Sequence, residues 1–170
     1  MTTNNGWIKK RKLFGLTGWF ILGACFVLFI IACIIGGEIL NWYDTMPWYD
    51  KTLHAISGAL FAIIGLWIGY RVVKDKPFFV SVFAFCFTMT LLVLWEFYEF
   101  TMDSWLGTNM LRWRDATGNR LGSGLVDTMW DLIIGAVAAL VTCLIGWVWI
   151  RSKSKSKRTE SSGKMSGNSV

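Results

Sequence analysis

The sequence predicts an all-α, polytopic membrane protein: a bundle of four transmembrane helices with both termini cytoplasmic. Three observations predict it. The chain of 170 residues is 54% hydrophobic and 16% aromatic, and its apolar residues are gathered into blocks. Four blocks, 13–37, 52–70, 77–95 and 132–150, contain no Asp, Glu, Lys or Arg. The basic residues, in turn, fall mostly on one side of a four-span scheme.

The length of the blocks argues for lipid rather than a soluble core. Nineteen helical residues reach ~28 Å, close to the ~30 Å hydrocarbon thickness of a bilayer. Backbone polar groups find no water at that depth, and only a helix satisfies them within one segment. Buried helices of a soluble protein would need a polar shell, and charged residues are only 16% of this chain. The length suits one compact domain.

Residues 1–12 are a short basic lead with Lys9, Lys10, Arg11 and Lys12. Span one covers about 13–37. The "LGAC" at 22–25 has the look of a lipoprotein cleavage box, but the apolar run continues past Cys25 where a lipoprotein turns polar. The first span is therefore read as retained. Residues 38–50 are a short link rich in Trp and Tyr, which favour the membrane–water interface. Span two covers about 48–70, and "RVVKDKP" is a tight turn whose Pro77 suits the first turn of span three. Span three covers about 77–103. Residues 104–125 form the longest loop, with Arg112, Arg114 and Arg120. Span four covers about 126–150. The Ser/Lys-rich tail, 151–170, has no aromatic residue and is expected to be disordered. The four-span transmembrane domain is thus 13–150.

Charge sets the orientation. Of 17 basic residues, 13 lie in the lead, in the turn after span two or in the tail. Basic segments stay in the cytoplasm, which places both termini there and the protein in the cell membrane as a multi-pass chain. The formal charge of +6 is thereby explained without nucleic acid; the basic flanks instead meet anionic membrane lipid. Cys25, Cys33, Cys86 and Cys143 all fall within spans, lack metal-finger spacing and are read as small apolar residues.

On this topology the acidic residues converge. Span two opens with Asp50 and His54, four residues apart and on one face. Span three ends with Glu96, Glu99 and Asp103, again one stripe. Span four opens with Asp127 and Asp131, and Glu38 closes span one. All lie toward the outer membrane face. An Asp at a helix centre costs about 2.5–3.5 kcal/mol on insertion scales. Near the interface the cost falls, but facing carboxylates repel. They are neutralised by shared protons, by a metal cation, or by Arg112, Arg114 and Arg120.

Plain roles compete with functional ones. Asp50 and Asp127 also suit helix N-caps, Asp103 and Glu38 suit the aqueous surface, and Trp95 and Trp130 suit packing or interface anchoring. Glu96, Glu99 and Asp131 lie deeper and fit a functional polar site. One imidazole among carboxylates suits one divalent metal ion such as Mg²⁺, Mn²⁺, Fe²⁺ or Zn²⁺. The expected metal ligands are Asp50, His54, Glu96, Glu99, Asp127 and Asp131. A di-iron centre would want Glu-x-x-His motifs, which are absent.

The segments "YDKTLHAISG", "LWEFYEFTMDSWLGTNM" and "GLVDTMWDLIIGAVAAL" resemble the YjdF-like family of small bacterial integral membrane proteins, over roughly residues 48–141. The Asp50–His54 piece is also similar to VanZ-like membrane proteins, linked to glycopeptide resistance. The first resemblance implies that Asp50, His54, Glu96, Glu99, Asp127 and Asp131 are recurrent polar positions; it implies no activity.

Three function classes follow. One is a membrane-embedded enzyme acting on a lipid or lipid-linked envelope substrate, with His54 or Glu99 as general base and Arg112 or Arg114 binding an anionic head group. A second is a structural or partner-docking protein whose polar cluster holds the bundle together. The third is cation or proton transport, which four spans could support only as a homo-oligomer. The partners expected are membrane lipid and a second copy of the chain.

Overall fold

The computed structural model describes residues 18, 20, 21, 23–40, 42–46, 48–73, 76–114, 117–120, 122 and 124–166. The basic lead and the start of the first expected span lie outside the described residues. The chain divides into two compact units, Met1–Met46 and Pro47–Val170.

The first unit contains the apolar helix α1, Gly23–Gly37, whose later part widens into a π-helix over Ala32–Ile39. The wider winding shows in the Leu40 N–H, which donates to the Ile35 carbonyl five residues back at 2.9 Å. A single helical turn, α2 (Trp42–Thr45), follows. Its Tyr43 ring covers Gly37, where any side chain would collide with it.

The second unit is a three-helix bundle of α3 (Tyr49–Val73), α4 (Pro77–Leu106) and α5 (Leu125–Ser166). All three are long and apolar enough to cross a membrane. Pro77 opens α4, where its missing N–H costs nothing. Gly107 ends α4 in the left-handed conformation, φ 69°, which a glycine adopts without strain. α3 and α4 run antiparallel, since Gly65 meets Ala84 while Gly69 meets Val80 and Phe83. α3 and α5 run parallel, since Gly58 meets Gly135 while Leu66 meets Gly146.

Small residues allow these approaches. Ala62, Ala84, Ala139 and Cys143 form the centre of the bundle, with Leu66 and Phe85 packed around them. The Ser81 hydroxyl donates to the Cys143 carbonyl at 3.2 Å and ties α4 to α5. At Gly58 the α3 and α5 backbones touch so closely that a Cβ would overlap the Gly135 carbonyl. Lipid gives no hydrophobic drive for helix association, so such close backbone packing supplies much of the cohesion. Large apolar side chains point outward instead, among them Phe78, Phe97, Val137 and Ile145.

Three helices run past the expected span ends, α3 among them, to Val73. α4 continues three residues past 103, to Leu106. α5 continues past 150 to Ser166. The segment after Ile150 is polar but contains no proline. Lys, Arg and Ser extend an already nucleated helix at little cost.

Candidate functional site

The buried stripe of α4 reads Val80, Ala84, Thr88, Leu92, Glu96, Glu99, Asp103. Steps of three or four residues keep it on one face. The stripe is apolar for its first half and acidic for its last turns. α3 repeats the pattern from its other end, with Asp50 and His54 above Ser57, Gly58, Phe61 and Ala62. Because α4 runs antiparallel to α3 and α5, the acidic end of α4 meets the starts of the other two. Asp50, His54, Glu96, Glu99 and Asp131 are all buried, Asp131 to 1% exposure.

One cation organises half of the cluster. Lys51, in the first turn of α3, places Nζ 2.5 Å from Asp127 Oδ1. The same Nζ lies 2.8 Å from Asp131 Oδ1 and 3.3 Å from Asp50 Oδ2. It joins α3 to α5 through three carboxylates. Asp50 and Asp127 stand in the first turns of their helices, where the dipole favours an acid, and their side chains serve Lys51.

Among the described residues, no cation is paired with the other half in this way. His54 stands between the two halves, with Nε2 3.6 Å from Asp50 Oδ1 and Nδ1 3.8 Å from Glu96 Oε1. Neither His54 Nδ1 nor either Glu96 oxygen has a hydrogen-bond partner among the described residues, although all three atoms are buried. The Thr128 hydroxyl faces Glu96 from α5 without reaching hydrogen-bond geometry. Glu99 is held differently: the Trp95 indole Nε1–H donates to its Oε1 at 2.7 Å. An unpaired buried polar group costs several kcal/mol in an apolar setting, so Glu96 requires a neutralising partner.

Among the described residues, two triads have ligand atoms close enough to share an ion. They are Asp50, His54 and Asp131, and His54, Glu96 and Glu99, with atoms within 4.8 Å of one another in each. Asp127, expected as a ligand, belongs to neither and is paired with Lys51. Arg112, half-buried, is within electrostatic reach of His54 and Asp127. Arg114 is elsewhere: exposed, bridged to Arg120 and stacked on the Trp113 ring at 3.8 Å. The side chain of Glu38 lies outside the described residues.

Asp103 is a loop anchor rather than a surface residue. The Thr108 hydroxyl and the Met110 N–H donate to its Oδ1 at 2.6 and 2.7 Å, and the Leu111 N–H donates to Oδ2 at 3.0 Å. Three donors explain its burial without any ligand.

Sequence reasoning missed Lys51 and Trp95. By charge pattern alone Lys51 is one of four basic residues outside the lead, the turn after span two and the tail. Its signal was its position: a Lys in a helix's first turn opposes the dipole and calls for acids nearby. Trp95 carried a weaker signal, four residues before Glu99 and therefore on the same face.

The fold and site define an all-helical membrane protein with three candidate spanning helices and a buried carboxylate–histidine cluster at one end of the bundle. The chain belongs to a family described as predicted membrane protein (DUF2238), whose model matches residues 6–152. No curated protein and no solved structure matches it.

Proposed function

We propose that this protein is a four-span membrane protein with both termini cytoplasmic, and that it binds one divalent cation near the outer membrane face and acts on a lipid or lipid-linked envelope substrate. The observation that carries the reading is the unpartnered, buried face formed by His54 Nδ1 and both oxygens of Glu96. An imidazole nitrogen and carboxylate oxygens suit a borderline or hard divalent ion. With Nε2 turned toward Asp50 at 3.6 Å, Nδ1 is the atom that would ligate. His54 and Glu96 hold the ion. Glu99 would complete the ligand set through one oxygen, the other being held by Trp95. Such an ion polarises an ester or phosphate oxygen and activates water. Arg112 is the residue assigned to an anionic head group. The likeness to YjdF-like and VanZ-like membrane proteins belongs to the same reading.

Metal analysis of the purified protein tests this. One divalent ion per chain is expected, lost in Glu96→Gln and Glu99→Gln. A metal-free wild-type protein, together with unchanged envelope lipids in His54→Ala and Glu99→Gln strains, would overturn it.

A second reading has its own support. Lys51 pairs with three carboxylates on two helices, which favours a polar lock for the bundle. Under that reading Glu96→Gln lowers thermal stability and leaves the cellular phenotype unchanged.

A further inference from the structure

The cluster contains two places for positive charge, and His54 borders both. Its Nε2 faces Asp50, a member of one triad; its Nδ1 faces Glu96, a member of the other. Read from the acids alone, this is the outline of a two-ion site. One place is already filled. The ammonium of Lys51 lies within 3.3 Å of Asp50 and closer to Asp127 and Asp131. The other place is lined by buried, unpartnered atoms of His54, 3% exposed, and Glu96, 5% exposed.

We infer that the Lys51 ammonium is a built-in substitute for a second metal ion, so that the site takes one exchangeable divalent cation where its acids alone would take two. The inference rests on the cation site proposed above at His54, Glu96 and Glu99. The chemistry is that of charge and reach. A lysine ammonium is a compact point charge on a flexible stem, and it donates to three oxygens from one point. A divalent ion there would draw on the same Asp50 and Asp131 oxygens and on His54 Nε2, the imidazole giving up its ring proton to solvent so that both nitrogens can ligate. Lys51 and that ion therefore exclude each other.

The test is metal stoichiometry in full-length protein purified in detergent, loaded with Zn²⁺ or Mn²⁺ and desalted. The informative variant is the double substitution Lys51→Gln, Asp127→Asn. It removes one positive and one negative charge together and keeps Asp50, His54 and Asp131. One ion per chain is expected in the wild type and in Lys51→Arg, and two in the double variant. One ion in both wild type and double variant overturns the inference and leaves the single-ion reading standing. No ion in the wild type but one in the double variant supports the inference while overturning the site at His54, Glu96 and Glu99. No ion in either overturns both. Two ions in the wild type overturn the inference, as does a double variant that cannot be recovered from membranes at any Zn²⁺ or Mn²⁺ supply.

Discussion

Trp95 and Glu99 sit one turn apart on α4, and the indole Nε1–H donates to Oε1 of the carboxylate at 2.7 Å. The bond holds one oxygen of a buried acid and leaves the other for a ligand. Groups that orient a metal's ligands commonly change affinity by about 10–100-fold when removed. Trp95→Phe keeps an aromatic ring and removes the donor. It is expected to weaken Zn²⁺ or Mn²⁺ binding by about tenfold or more, measured by competition with a chelator, while the melting temperature stays close to wild type. Unchanged affinity would reduce Trp95 to packing.

Lys51 tests the cohesion of the bundle. Lys51→Met strands three carboxylates on two helices. Removing one partner of a buried ion pair costs about 3–5 kcal/mol, and the lower end applies because the Lys51 side chain is 25% exposed. A clear loss in detergent thermal melts is expected, with Lys51→Arg recovering most of it. Equal melting temperatures for wild type and Lys51→Met would show that the three contacts carry no net stability.

The close approach of α3 and α5 is tested at Gly58. Even alanine places a Cβ against the Gly135 carbonyl, and backbone has no rotamer to give. Overpacking of this kind costs about 1–3 kcal/mol. Gly58→Ala is expected to lower the unfolding midpoint, and Gly58→Val to lower it further. Because His54 stands one turn before Gly58 on α3, both substitutions are also expected to reduce bound metal. A neutral Gly58→Val would mean the helices separate without penalty.

Asp103 gives a prediction of the opposite kind. Asp103→Ala removes the acceptor for the Met110 and Leu111 amides. Hydrogen bonds to charged groups contribute about 1.5–3 kcal/mol each. Hydrogen exchange at these two amides is expected to accelerate by about tenfold or more, with metal content unchanged. Loss of metal in this variant would place Asp103 in the site.

Much of the bundle is legible in the sequence because lipid imposes simple demands. Uncharged runs of sufficient length mark the existence and order of α3, α4 and α5, though not where α5 ends, and antiparallel succession alone brings Glu96 and Glu99 to the level of His54 and Asp131. The partition of the acids is not legible. Helical-face arithmetic places Lys51 about 100° around α3 from Asp50. Only the length of its side chain lets one ammonium meet Asp50, Asp127 and Asp131 together. The burial of Asp103 is hidden for a related reason: its partners are loop amides, which leave no mark in residue type. The continuation of α5 beyond Ile150 escapes composition because a polar segment without proline can extend a helix that an apolar one has started.

The contact between Gly58 and Gly135 has a consequence for the acids above it. Leu92 presses on Gly135 from α4, so all three helices meet directly beneath the acids. Beyond that contact the bundle centre is Ala62, Ala84, Ala139 and Cys143. Beneath Glu96, then, the centre of this unit is lined by small side chains that carry no charge. Within this three-helix unit the buried acids are confined to one end, and the close-packed glycines and alanines hold that end shut from below.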